Sequence, residues 1–324
     1  MLFFRKKKTV IIPKKPETEI KEVCFNGLTW IDIVRPDDDE INFLKNRFNF
    51  HELLLEDCMS ENQRSKVDDY EDYFFLVLHF PRYKKDIGRL VSEEVDIFIS
   101  NNYIVTLHEG ELKPLVRFFH LLYEKEESRE RYMKNGSSIL LSEILRRLFD
   151  YCFPMLDKIG SSMDSIQKEI FRNRSLEIVE NISKVKMQII NYRKIIKPLR
   201  PVVLSLEKLL KRYIPEDMEI YFDDISDKIE KIWDSLENYK EVIDSIQVTH
   251  ESLTSYGINK LMTFFTVISA IVLPMTFISG MFSMNVQGIP LSTIHNSFWL
   301  VSMIVFIPSI FLGLYIYLKK NEWF

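Results

Sequence analysis

Between Lys260 and Lys319 the chain carries no Asp, Glu, Lys or Arg, and no other feature restricts its folding so severely. A hydrocarbon core of about 30 Å is crossed by about 20 apolar residues in helical form. Residues 261–282 and 297–318 each meet that length, and the connection 283–296 is short and polar, carrying Gly288, Pro290, Asn285 and Asn296. Two spans with a short loop predict a two-helix transmembrane hairpin. The alternative, a buried helical pair in a water-soluble protein, requires a very large surrounding core. Lys260 precedes the first span, Lys319 and Lys320 follow the second, and the loop has no basic residue. That asymmetry places both termini in the cytoplasm, with the chain multi-pass in a plasma or inner membrane.

The totals exclude several classes. A net charge of -4 without a basic concentration gives no case for nucleic acid as a partner. Cys24, Cys58 and Cys152 are odd in number and lack a CxxC pair, so neither a disulfide framework nor a thiolate zinc site is suggested. The six histidines show no HxxxH spacing and none is assigned to metal. Glycine is scarce and GxGxxG, P-loop and GxSxG motifs are absent, so no catalytic residue is named and no enzyme is expected. The basic stretch Arg5-Lys6-Lys7-Lys8 has no apolar run after it and reads as part of a flexible tail, 1–18, rather than a signal.

The remaining chain divides by periodicity. Over 19–111, Trp30-Ile31-Asp32-Ile33-Val34, the run from Tyr73 to Leu78, the run from Glu94 to Ile99 and the run from Tyr103 to Leu107 are short, β-branched or aromatic. Asn101-Asn102 reads as a hairpin turn. Asp37 to Asp39 open a helix reaching about Asn49, and a second short helix lies near Glu52 to Met59. The expectation is an α+β domain on a mainly antiparallel sheet.

Residues 112–215 read as helix. Ile178, Ile182, Val185, Ile189, Tyr192, Ile196, Leu199, Val203, Leu206, Leu210 and Tyr213 alternate steps of four and three, a heptad seam. Pro198 and Pro201 lie inside it and are expected to bend the helix. A second seam follows in Ile225, Ile229, Ile232, Leu236, Tyr239, Ile243, Ile246, His250 and Leu253. No proline separates it from the apolar segment, so 216–282 is expected as one helix about 100 Å long, a stalk that continues into the first span. The seams serve either packing within one chain or packing between copies. Two membrane helices enclose no aqueous path, so transport requires several copies around an axis.

The stretch Leu273-Pro274-Met275-Thr276-Phe277-Ile278-Ser279-Gly280, followed by Ser283-Met284-Asn285, resembles the first membrane helix and Gly-Met-Asn signature of the CorA magnesium-channel family. The likeness extends to Leu55-Glu56-Asp57-Cys58, to Gln63-Arg64-Ser65-Lys66-Val67 and to the Lys319–Phe324 terminus, 319–324 being a basic cytoplasmic end. The resemblance implies a funnel-shaped homopentamer in a lipid bilayer that conducts divalent cations, with Mg2+ both transported and regulatory and Co2+ or Ni2+ as further ions. It implies a selectivity filter of Ser283, Met284 and Asn285, and a pore lined by Asn259, Met262, Phe265, Leu273, Thr276 and Gly280. Mg2+ sheds its waters reluctantly, so a ring of neutral amide oxygens suits it, while apolar constrictions stop ions by dewetting.

The same resemblance places regulatory, inter-subunit metal contacts at Glu56 and Asp57 and at Asp223 and Asp224. Two departures stand out. Ser283 replaces the signature glycine, a conflict if that position needs positive φ. The loop Val286-Gln287-Gly288-Ile289-Pro290-Leu291 lacks an acid and looks more like the Gly-x-Pro loop of the family's zinc-transporting branch, which keeps Zn2+ transport, with or without proton coupling, as the alternative. A non-conducting membrane-anchored sensor or scaffold is the reading from another class.

Overall fold

The computed structural model describes residues 20–60, 63–171, 176–210 and 219–283, together with 305, 306, 308–310, 312, 313, 315 and 316. It divides into two units, Met1–Asp244 and Ser245–Phe324. The first is an α+β unit on a six-stranded sheet of β1 (Lys21–Phe25), β2 (Leu28–Val34), β3 (Lys66–Asp69), β4 (Phe74–Lys84), β5 (Arg89–Ile99) and β6 (Tyr103–His108), in spatial order β1-β2-β6-β5-β4-β3. β2 and β6 run parallel and the other neighbouring pairs antiparallel.

β1 and β3 lie outside the strands read from the sequence. β1 is joined to β2 by Asn26 and Gly27, at φ 49° and 82°. Two successive positive-φ residues make the turn whose twist matches a hairpin, and Asn-Gly is its strongest sequence signal. β3 is short, charged and at the sheet edge, where polarity discourages pairing with foreign chains and hides the strand from a hydrophobic pattern. α1 (Asp38–Arg47) begins where Asp37 accepts from the amides of Asp39 and Glu40, at 3.0 and 3.4 Å, while Glu40 accepts from the Asp37 amide at 2.8 Å. This capping box satisfies amides that the first helical turn leaves open. α2 (Glu52–Asp57) follows.

Both sheet faces are covered. Under α1 and α2 lie Ile31, Ile33, Phe75, Val77, Phe98, Val105 and Leu107, packed with Leu44, Leu54 and Leu55. On the opposite face Trp30 meets Phe118 and Phe119 of α3 (Lys113–Glu124), with ring centroids 5.4 and 5.1 Å apart. A buried polar chain runs beneath them. Trp30 Nε1–H donates to Thr106 Oγ1 at 3.1 Å, Thr106 donates to Asp32, and His108 Nε2–H donates to Asp32 Oδ1 at 3.1 Å. The Gly110 amide donates to His108 Nδ1 at 2.8 Å and so fixes the tautomer. Thr106→Val keeps the shape but strands the indole N–H and one Asp32 contact, so thermal or denaturant unfolding should show a loss of about 1–3 kcal/mol.

The helical part continues with α4 (Glu126–Met133), α5 (Ser137–Asp150), α6 (Phe153–Glu169), α7 (Leu176–Leu210) and α8 (Glu219–Ser283). α7 holds Pro198 and Pro201 inside one continuous helix. The first seam is buried within the chain from Ile178 through Leu206, and Ile225, Ile229, Ile232, Leu236 and Ile243 of the second are buried likewise. Flanking ion pairs match the two helices antiparallel at seven-residue steps: Lys186–Asp244 at 2.8 Å, Arg193–Glu237 at 2.6 Å and Arg200–Glu230 at 2.6 Å. Arg193 and Arg200 both stand over the Trp233 ring, 5.0 and 5.1 Å from its centroid. These seam positions are therefore covered inside the chain, which removes them as an argument for association between copies. Gly160 of α6 makes room for α8: a Cβ there would stand 2.8 Å from the Tyr239 hydroxyl oxygen.

Candidate functional site

The second unit contains the C-terminal part of α8. This helix is long and apolar enough to cross a membrane, and its most apolar window is nowhere buried. Its hydroxyls are satisfied inside the helix: Thr263 Oγ1 donates to the Asn259 carbonyl at 2.9 Å, Thr266 to that of Met262 at 2.8 Å, and Thr276 to that of Leu273 at 2.9 Å. Internal satisfaction is what a helix in hydrocarbon requires, since no water is there to bond stray polar groups.

The six expected pore residues share a face. At 3.6 residues per turn, Asn259, Met262, Phe265, Leu273, Thr276 and Gly280 fall within about 120° of the helix circumference. All six are exposed, with Met262, Phe265 and Leu273 between 62% and 66%. The other faces are open too, as at Leu261, Phe264 and Phe277. The face is thus present on a helix that needs cover all round.

Of the expected filter, Ser283 is the last residue of α8, while Met284 and Asn285 lie outside the described residues. Ser283 is not among the positive-φ positions of the described residues, which are Asn26 and Arg35 apart from glycines. Its helical backbone accepts a Cβ without penalty, so the conflict expected from the missing glycine does not arise here. The second expected span falls mostly outside the described residues. Those described within it, such as Val305, Phe306 and Ile310, are helical and exposed.

The candidate regulatory acids lie in the first unit, on two elements. Glu56 and Asp57 close α2, with Glu56 exposed. Asp57 Oδ2 accepts from Lys66 Nζ at 3.1 Å, and the same ammonium reaches Asp68 at 3.2 Å. Burial would lower the Lys66 ammonium, but hydrogen bonds to Asp57 and Asp68 outweigh it and hold the group above its ordinary value. Asp223 and Asp224 are exposed near the start of α8, and Asp224 stands 3.7 Å from Lys228, which in turn bonds Asp150 at 2.7 Å. Within one chain, then, Asp57 and Asp224 face different lysines. Among the described residues no three His, Cys, Asp or Glu side chains are grouped so as to hold a metal ion.

Two features escape a sequence reading. Lys66 as the partner of Asp57 depends on a contact across a loop, with no periodic signal. The second is a cavity of about 330 Å³ beside the C-terminal end of α2, lined among others by Cys58, His79, Ser92, Glu93, Glu94 and Asp96. Here Asp96 is the visible clue, a carboxylate in the otherwise apolar run Val95 to Ile99, on the same strand face as buried Phe98. It is 4% exposed. Burial pushes its carboxyl up to about 8, with the nearby Glu94 charge adding to the rise and the Cys58 hydrogen bond opposing it.

Comparison with known proteins gives a consistent result. The family described as "CorA-like Mg2+ transporter protein" matches residues 25–320. A cobalt/magnesium transport protein CorA of Thermotoga maritima is 28% identical over 298 residues, covering 91% of this chain and 83% of that protein. Its namesake in Methanocaldococcus jannaschii is 24% identical over 313 residues, 95% of each. Among solved structures, the CorA magnesium transporter from Methanocaldococcus jannaschii superposes with a TM-score of 0.79 at 22% identity, over 94% of this chain and 95% of that one. The cytoplasmic domain of ZntB from Vibrio parahaemolyticus gives 0.57 at 14% identity, over 71% and 88%.

Proposed function

The chain belongs to the CorA-like Mg2+ transporter family, a family of transporters rather than enzymes, and from that premise we propose that it is a Mg2+ uptake channel built as a homopentamer. The observation that carries this reading is the uncovered apolar end of α8, on which Asn259, Met262, Phe265, Leu273, Thr276 and Gly280 share one face. Five copies of that face around an axis give a path that a single chain lacks.

In this reading 261–282 and 297–318 form a hairpin, 283–296 is extracytoplasmic and both termini are cytoplasmic. Asn259 meets the ion at the cytoplasmic end, where it leaves the pore. Met262, Phe265 and Leu273 form apolar constrictions, and Asn285 with the backbone oxygens of Ser283 and Met284 grips the water shell at the outer mouth. The membrane potential drives entry with about 4.6 kcal/mol per 100 mV for a divalent ion, twice the single-charge figure. Co2+ and Ni2+ follow the same route.

Closure follows from internal Mg2+ bridging Asp57 of one subunit to Asp224 of the next, with Glu56 and Asp223 beside them. Without the ion these carboxylates oppose one another across the contact and the subunits part. The Asp57–Lys66 pair then sets the threshold, because an ion must displace the ammonium. Lys66→Met keeps an unbranched side chain and removes that competitor, the ammonium whose Nζ also stands 5.3 Å from the Phe75 ring centroid. Half-inhibition by internal Mg2+ should shift to lower concentration by about two- to fivefold, the worth of a partly exposed ion pair, measured as flux against internal Mg2+.

Zn2+ transport is the second reading, favoured by the acid-free Gly288-Ile289-Pro290 loop. Competition between Mg2+ and Zn2+ for uptake into proteoliposomes decides between them. Mg2+ entry that Zn2+ does not suppress supports the first, and Zn2+ entry without Mg2+ entry supports the second.

A further inference from the structure

The cavity beside α2 has a chemistry that the transport reading leaves unused. Four carboxylates line it, Glu93, Glu94, Asp96 and Glu109, and no Lys or Arg does. Three of them have partners: Glu93 with Arg82 at 2.6 Å, Glu94 through Oε2 with His79 of the same lining at 3.1 Å, and Glu109 with Arg35 at 3.9 Å. Among the described residues Asp96 forms no ion pair, and the nearby Lys66 is committed to Asp57 and Asp68. Asp96 Oδ1 is buried without a hydrogen-bond partner in this structure. A buried acceptor of this kind costs free energy until something meets it, and a lining that holds four carboxylates and no Lys or Arg suits a cation.

We propose that the cavity is a further divalent-cation site, contained within one subunit, that takes Mg2+ with its water shell intact between Asp96 and Glu94. Outer-shell binding is favoured over direct ligation on three grounds. No three acidic, His or Cys side chains among the described residues are grouped around one ligation point. Cys58 offers a soft sulfur donor, which a hard cation such as Mg2+ does not take as a ligand. The His79 imidazole is engaged by Glu94 on one nitrogen and Ser65 on the other.

Size agrees as well. Mg–O distances of about 2.1 Å plus the radius of water make the hydrated ion about 7 Å across. That fits within a cavity of about 330 Å³. Cys58, the residue after Asp57, also lines the cavity, so occupancy of this site bears on the end of α2 from which the regulatory contact is made.

The site is tested by counting ions on the full-length protein in lipid nanodiscs, by equilibrium dialysis against Mg2+. An Asp224→Asn background removes the contact between subunits. Adding Asp96→Asn should then weaken one Mg2+ per subunit by about 10- to 100-fold, the usual cost of losing an outer-shell partner. Glu94→Gln, a more exposed position, should cost the same ion and keeps the test alive if the Asp96 variant assembles poorly. An unchanged ion count in both variants would overturn the proposal. So would Co2+ binding with a thiolate charge-transfer band that Cys58→Ser abolishes, which would mean direct soft-metal ligation. Wild-type flux in the same preparation tests the transport reading separately. Absent flux with the ion count intact would remove that reading and leave the site.

Discussion

Asn285→Ala is expected to reduce Mg2+ uptake by at least about tenfold while the oligomer still assembles. Each lost amide contact to the ion's water shell is worth about 1.5–3 kcal/mol, and every 1.36 kcal/mol is a decade in rate. In the proposed pentamer the variant exchanges five acceptors for methyl groups at the position where a strongly hydrated ion is first gripped. Flux measured with a Mg2+-sensitive dye in proteoliposomes, alongside size analysis of the solubilised protein, separates a filter role from an assembly role. A membrane-anchored sensor that conducts nothing would give no wild-type flux to lose.

The second large effect concerns closure. With Asp57 and Asp224 both replaced by Ala, millimolar internal Mg2+ should no longer inhibit, and the concentration for half-inhibition should rise by at least about tenfold. In the proposed closure the two carboxylates supply the hard oxygens that bridge neighbouring subunits, and neither substitution touches the sheet core, since Asp57 is only partly buried and Asp224 is exposed. The direction is opposite to that expected for Lys66→Met, which leaves both acids in place and removes their competitor. Variants at one site that move the threshold in opposite directions are hard to explain by misfolding.

Much of this was legible in the residues because it depends on period. The seam of α7 could be read position by position, from Ile178 to Leu206, since burial on a heptad stripe is a local property of the sequence. Whether that stripe met its own chain or a copy was not legible, and the Lys186, Arg193 and Arg200 ion pairs with α8 settled it. The β4 and β5 strands extend beyond the apolar runs, to Lys84 and from Arg89, because their outer ends pair through backbone whatever the side chains. β1 escaped because Lys21-Glu22-Val23-Cys24-Phe25 is mixed in polarity, although Asn26-Gly27 announces the hairpin to anyone starting from turns rather than strands.

The site divides in the same way. Asn259 through Gly280 share a face because helical spacing fixes it, so their juxtaposition followed from numbering alone. The Asp57–Lys66 pair and the Asp96 cavity depend on how α2, β3 and β5 meet in space, and no spacing rule predicts that. Family likeness pointed to Asp57 but not to its lysine, since a motif marks positions and leaves their electrostatic partners to the fold.

The most direct test is Mg2+ entry into liposomes containing the purified wild-type protein, under a potassium diffusion potential that is negative inside and with no pH gradient. Mg2+ should enter, faster as the potential grows, and a proton gradient should make no difference. No Mg2+ entry under these conditions, with Zn2+ entering only when a proton gradient is imposed, would contradict the account.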